Sequence, residues 1–294
     1  MTVRSNGRAP LGRRDFVRQV GLGTLAAAAA PPTLWAGEKV APVAFCGANL
    51  VARVSDYHFE LANWMKQHVA TIKATDAGEW RAICEDIAAA GFKGIEVWEA
   101  HASPQTLDSR GKAQEWKKVM REAGLKPVAY AGTLGRETLQ ICEWLEIPHV
   151  DGQIGGLSPD AATKLCAEFE IGYNLENHPQ KTTAEILKPI GGGNEWLGVC
   201  IDTGWLGTQG AHGPKIIEEC GDLVRHTHIK DVKAAGGHET VLLGEGVVDP
   251  GACIQALKGI GYQGWYSWED EPENRNPMDS AERNRLWIEE RVEA

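Results

Sequence analysis

The chain has 294 residues, 43% of them hydrophobic and 24% charged, with a formal net charge of −10. Such a composition is that of a globular protein, and it excludes a disordered chain, a collagen-like repeat and a small disulfide scaffold.

The first 36 residues differ from the rest. Arg4, Arg8, Arg13, Arg14 and Arg18 stand against one acid, Asp15, a local charge of +4. The weakly apolar run 20–30 follows, too short and too rich in Gly and Ala for a stable bilayer span, and then small residues near Ala36. This is the layout of an export signal, the competing reading being a disordered basic tail. The stretch Arg13-Arg14-Asp15-Phe16-Val17-Arg18 resembles the twin-arginine motif of the bacterial pathway that exports folded proteins. The resemblance implies a periplasmic or secreted location, with a signal at 1–36 and a mature domain at 37–294. The mature part is then about 258 residues with 25 Lys+Arg against 39 Asp+Glu, a charge of −14. A body this acidic repels phosphate backbones and anionic lipid, so neither nucleic acid nor a membrane is an expected partner. No mature apolar run has transmembrane length.

Glycine punctuation divides the mature chain into alternating β-rich and helical segments. Strands are expected at 43–46, 94–98, 127–132, 149–153, 173–176, 197–202, 224–230 and 264–269. Helical periodicity fills 80–90, 113–123, 136–145, 159–169, 183–188, 215–220, 250–260 and 279–292, with an additional helix at 59–72. Eight strand-helix units in a chain of this length predict an α/β fold, a single-domain TIM (β/α)8 barrel. A doubly wound open sheet would need a Gly-rich phosphate loop after the first strand, which Cys46-Gly47-Ala48-Asn49 does not supply. The run Gly21-Leu22-Gly23-Thr24-Leu25-Ala26 lies in the signal with no strand before it. The seven cysteines are odd in number, widely spread and without a C-x-x-C pair, so most are expected to be small buried hydrophobes.

A barrel strand alternates residues inward and outward. On that parity Glu96 and Trp98, Asn174 and Glu176, Cys200 and Asp202, His226, His228 and Lys230, and Ser267 and Glu269 share the inward face. Glu176, Asp202, His228 and Glu269, from four consecutive strands, would converge at the carboxyl-end mouth, where barrel active sites lie. Three carboxylates so close resist ionisation unless a cation neutralises them. With one imidazole they form a hard ligand set for one divalent metal ion, Mn²⁺ before Mg²⁺, Co²⁺ or Fe²⁺, and not for a thiolate-bound structural zinc. Unrelated strand-end salt bridges are the competing reading.

The segments Asn174-Leu175-Glu176-Asn177-His178, Ile201-Asp202-Thr203-Gly204-Trp205, His226-Thr227-His228-Ile229-Lys230-Asp231 and Ser267-Trp268-Glu269 resemble the sugar isomerase/epimerase superfamily with the xylose-isomerase-like barrel. The resemblance runs from about Val43 to the C-terminus and is densest after Tyr173. It implies that Glu176, Asp202, His228 and Glu269 bind the metal, that Glu176 and Glu269 are also the catalytic acid and base, and that His226 stands behind the ligands. The chain departs from the family's epimerases where Gly204-Trp205 replaces Thr-x-His and where Lys230-Asp231 follows the His pair.

The implied chemistry is a metal-stabilised enediolate: isomerase or epimerase if the proton returns, and lyase or hydratase on 3-keto-glycosides if a leaving group departs. The expected partner is a small-molecule sugar or keto-glycoside, and a homo-oligomer is compatible with the sequence. A metal-dependent phosphodiesterase of the endonuclease type is opposed by the charge, and a non-catalytic sugar-binding barrel by the retention of both glutamates. Substrate contacts are expected from Lys230, His178, Glu96, Gln153, His101, Trp205 and His226, each with a packing or ion-pair role as its alternative. Gly244-Glu245-Gly246 lies where barrels often bind phosphate, but without a neighbouring Lys or Arg.

Overall fold

The computed structural model describes residues 42–294. The twin-arginine-like segment and the expected boundary at 36 lie outside the described residues. Eight parallel strands close in the order β1-β10-β7-β6-β5-β4-β3-β2, the TIM barrel expected from the strand count. They are β1 (Val43–Cys46), β2 (Gly94–Trp98), β3 (Lys126–Thr133), β4 (His149–Gln153), β5 (Gly172–Glu176), β6 (Leu197–Asp202), β7 (Val224–Ile229) and β10 (Tyr266–Trp268). Two short antiparallel strands, β8 (Asp231–Val232) and β9 (Thr240–Val241), form a separate pair after β7.

The outward residues of the strands are large and apolar. Phe45, Ile95, Val97, Tyr130, Tyr173, Val199, Ile201 and Trp268 join one continuous core with the helices. The helices are α1 (Trp64–Ala74), α2 (Ala77–Ala89), α3 (Arg110–Glu122), α4 (Arg136–Leu145), α5 (Pro159–Phe169), α6 (Thr183–Leu187), α7 (Thr203–Thr208), α8 (Gly213–Cys220), α9 (Pro250–Gly259) and α10 (Met278–Glu293). Several begin at side-chain caps: Asp76 accepts from Glu79 N at 2.9 Å, and Asp249 from Ala252 N at 3.0 Å before Pro250. None of the described helices is long and apolar enough to cross a membrane. All seven cysteines are free and buried, as the packing reading expects.

The barrel interior is layered by side-chain size. Trp265 packs against Ala44, Val128 and Ala129 near the amino ends of the strands. A Cβ on Gly94 would meet the Trp265 ring at 2.6 Å, so this position must be glycine for the indole to fit. Above that plug the inward face turns polar, with buried Glu96, Asp151, Asn174, His226, His228 and Ser267.

Candidate metal centre

Each residue of the cluster reaches the mouth because it ends its strand or follows it. Glu176 and Asp202 are the last residues of β5 and β6, His228 is next to last in β7, and Glu269 follows β10, with Glu269 N donating to Ile229 O at 3.2 Å. Ladder pairing sets Asp202 opposite His228 and Ser267 opposite His228. One donor atom from each of Glu176, Asp202, His228 and Glu269 lies within 4.8 Å of all the others.

The donors are oriented by what their other atoms do. Asp202 Oδ1 accepts from Trp205 N at 3.0 Å and caps α7, so Oδ2 is the atom turned to the cluster. His228 Nε2 lies 3.0 Å from Glu96 Oε1, which leaves Nδ1 3.4 Å from Glu176 Oε1 and 3.1 Å from Glu269 Oε2. Asp202 Oδ2, His228 Nδ1 and Glu269 Oε2 are all buried without a hydrogen-bond partner. Buried polar atoms left unpaired are costly, and three of them converging on one point fit a cation.

The electrostatics agree. Burial, with Glu269 and Glu176 nearby, pushes Asp202 well above the usual carboxylate range despite Lys230. Burial alone would raise Glu269 too, but Lys230 and His228 bring it down to about 2. Against burial, Cys200 and the Glu96 and Glu269 carboxylates hold His228 well above its ordinary value.

Lys230 is the cation the chain itself supplies. Its Nζ donates to Glu271 Oε2 at 2.7 Å and lies 3.5 Å from Glu269 Oε2 and 3.7 Å from Asp202 Oδ2. The neighbouring carboxylates Glu269, Glu271 and Asp202 overcome burial and keep it charged. The two departures from the family's epimerases are coupled here. A Cβ at Gly204 would sit 2.5 Å from Lys230 Cγ, so the glycine makes room for the lysine stem.

Three residues outside the expected set, Glu271, Asn177 and Asn49, complete the frame. Burial and Glu269 raise Glu271 to about 7, Lys230 opposing. Asn177 brackets Asp202, donating to its carbonyl at 2.9 Å and accepting from its N–H at 2.8 Å. Asn49 does the same around Glu269, bonding Trp268 O at 3.1 Å and Asp270 N at 2.8 Å. An asparagine directly after or close behind a strand end was the available signal.

Of the expected substrate contacts, Trp205 and His178 form a wall, their ring centroids 3.7 Å apart, with the His238 ring 4.8 Å from Trp205. Gln153 lies exposed at the end of β4, and no side-chain hydrogen bond ties it to the cluster among the described residues. Three of the expected contacts lie buried, and His226 stands behind the ligands as the resemblance implies. Glu96 is fully buried below the cluster with its oxygens on His226 and His228, so it faces the ligands and not the mouth. His226, 1% exposed, is held by Glu96 at 3.0 Å and Ser267 Oγ at 3.1 Å. His101 is 1% exposed and packed between Trp80 and Trp98. The Gly244-Glu245-Gly246 loop is also occupied: Asp231 Oδ2 accepts from Gly244 N and Gly246 N at 3.0 Å each, which leaves those amides no place for a phosphate.

Burial lowers His101 to about 3, so it stays neutral in the fold while the unfolded chain takes up a proton below its ordinary value of 6.5. The unfolded state then binds more protons between those limits, and stability falls as pH falls through that window by up to about 1.4 kcal/mol per pH unit. Denaturant titrations at pH 6 and pH 4 are expected to show a smaller acid loss for His101→Gln than for the parent chain.

A family model described as xylose isomerase-like TIM barrel matches residues 84–291. The chain belongs to this family. Among curated proteins it is similar to the inosose dehydratase of Clostridium beijerinckii, 25% identical over 170 residues that cover 51% of this chain and 55% of that protein. The chain spans about half the length of the curated relatives it matches. Among solved structures, an L-ribulose 3-epimerase superposes with a TM-score of 0.64 at 16% identity, covering 86% of this chain and 95% of the other. The IolI protein with a bound zinc atom superposes with a TM-score of 0.59 at 16% identity, covering 85% and 98%. At these identities the superpositions speak for the fold.

Proposed function

We propose that this protein is an exported, divalent-metal-dependent sugar isomerase or epimerase, with Glu176, Asp202, His228 and Glu269 as ligands and Mn²⁺ as the first candidate ion. The observation that carries the reading is the convergence of three buried, unpartnered donor atoms within a cluster of three carboxylates and one imidazole. The curated relative and the epimerase structure support a sugar as the substrate class. The twin-arginine-like segment supports export, and export favours an unphosphorylated substrate, as does the occupied Asp231 loop.

When bound, a divalent ion would hold a carbonyl and the adjacent hydroxyl of the sugar and stabilise negative charge as the neighbouring C–H loses its proton. Glu176 Oε1 and Glu269 Oε2 each approach His228 Nδ1, at 3.4 and 3.1 Å, so both glutamates would stand beside a substrate held at the cluster. One removes the proton and the other returns it. Glu269, held ionised by Lys230 and His228, starts as the base. Trp205 and His178 offer an apolar face for the C–H side of a sugar ring. Lys230 holds its ammonium beside Glu269 and is placed to meet a substrate oxygen.

One observation favours elimination as a second reading. Glu271 adds a carboxyl group at Lys230 beyond the two that epimerisation uses, where the proton for a departing hydroxyl could be held. Incubation with a panel of ketoses and keto-glycosides in deuterated buffer separates the outcomes by NMR. Metal-dependent exchange of one substrate C–H supports the enolising site. Epimer formation without loss of a group selects the first reading, and release of water or an aglycone selects the second. No exchange with any ketose or keto-glycoside would sink both.

A further inference from the structure

Two histidines of β7 share one carboxylate from a strand across the barrel. Glu96, on β2 and fully buried, places Oε1 and Oε2 3.0 and 3.1 Å from His228 Nε2, and Oε2 also 3.0 Å from His226 Nε2. A neutral imidazole carries one N–H, and an acceptor on one nitrogen fixes both the tautomer and the ring flip. A ring that binds an ion must be neutral, and with the N–H on Nε2 directed at Glu96 the nitrogen that gives up its proton is Nδ1, the atom that faces Glu176 and Glu269 without a hydrogen-bond partner.

We propose that Glu96 is the positioning residue of the metal centre, holding His228 as the Nε2–H tautomer so that Nδ1 is presented to the ion. This rests on the metal-centre reading above. The shared carboxylate is in turn braced from below. His226 Nε2 lies 3.1 Å from Ser267 Oγ and 4.0 Å from Asp151 Oδ2. Asp151 takes His149 Nδ1 on Oδ2 at 2.9 Å and Asn174 Nδ2 on Oδ1 at 2.8 Å.

The lower group, His149, Asp151 and His226, is itself close enough to suggest a second ion. Its satisfied donors argue otherwise. Both Asp151 oxygens and His226 Nε2 already have hydrogen-bond partners, His149 Nδ1 among them, whereas three of the four upper donors have none. The lower group therefore fixes Glu96, and Glu96 fixes the ligand.

The test is metal binding by the full chain, read by Mn²⁺ titration and by metal content per chain. Glu96→Ala is expected to weaken Mn²⁺ binding about 10–100-fold at one ion per chain, with Glu96→Gln between it and the parent chain because its amide oxygen still accepts one N–H. A second readout needs no variant. In the zinc-loaded parent chain, ¹⁵N spectra of the histidine rings should show His228 protonated on Nε2 and ligated through Nδ1. Unchanged affinity in folded Glu96→Ala, ligation through Nε2, or two ions per chain with one lost in the variant would each overturn the role. A parent chain that binds no ion at all would sink the metal reading itself, a result distinct from any of these.

Discussion

Glu269→Gln is expected to lower kcat on the validated sugar by about 10³-fold or more, the upper part of the range for losing a positioned acid or base together with a charge on the reacting centre. The substitution keeps the shape of the side chain but removes the charge that Lys230 and His228 stabilise. A glutamine at this point cannot take up the substrate proton, and it offers a weaker ligand oxygen where Oε2 now has no partner. Glu176→Gln should fall in the same range, because the second glutamate completes the proton's path. The control is Asp202→Asn: in the proposed reaction this residue carries no proton, so its loss should appear chiefly as weaker metal binding that excess Mn²⁺ partly restores. If Glu269→Gln and Glu176→Gln kept parental turnover, the barrel would be a binding module with the geometry of an enzyme.

The second large effect follows from removing the ion. Chelation should abolish turnover, and Mn²⁺ should restore it. The same cluster predicts a stability change independent of substrate. Three carboxylates lie within 4.8 Å of one another with Lys230 and His228 beside them, and burial already lifts Asp202 well above its usual range. An ion that binds the fold alone stabilises it by about 2.7 kcal/mol at one hundred times its Kd, which for a domain of this size is a Tm rise of about 5–10 °C. Differential scanning calorimetry of the chelated and Mn²⁺-loaded protein reads this directly, and identical melting curves would contradict it.

The strands were legible because each is a short β-rich run closed by glycine or a turn, and because the parity rule holds from β2 to β10. The helix starts were less so. Helix α2 begins at Ala77 and not at 80 because Asp76 caps it, and α3 begins at Arg110 because Ser109 does. Helix α7 carries two glycines in six residues and was not expected; its N-terminus is held by the Asp202 cap. Within the site, parity told inward from outward but not depth. Glu96 is the third residue of a five-residue strand and His226 the third of six, so both lie below the mouth that Glu176 and Asp202 reach as terminal residues. Position along the strand would have separated them. Glu271 and His238 have no such signal, since they arrive through segments whose paths only the folded chain defines.

The central claim is that four side chains at the barrel mouth hold one divalent ion at which a sugar is enolised. A crystal of the full chain grown with Mn²⁺ and soaked with a ketose, read by anomalous diffraction at the manganese edge, tests it most directly. A single strong peak is expected, bound by Glu176, Asp202 Oδ2, His228 Nδ1 and Glu269, with two adjacent sugar oxygens completing the shell and a C–H between the two glutamates. A peak elsewhere in the barrel, or a sugar bound at the mouth with no ion beneath it, would contradict it.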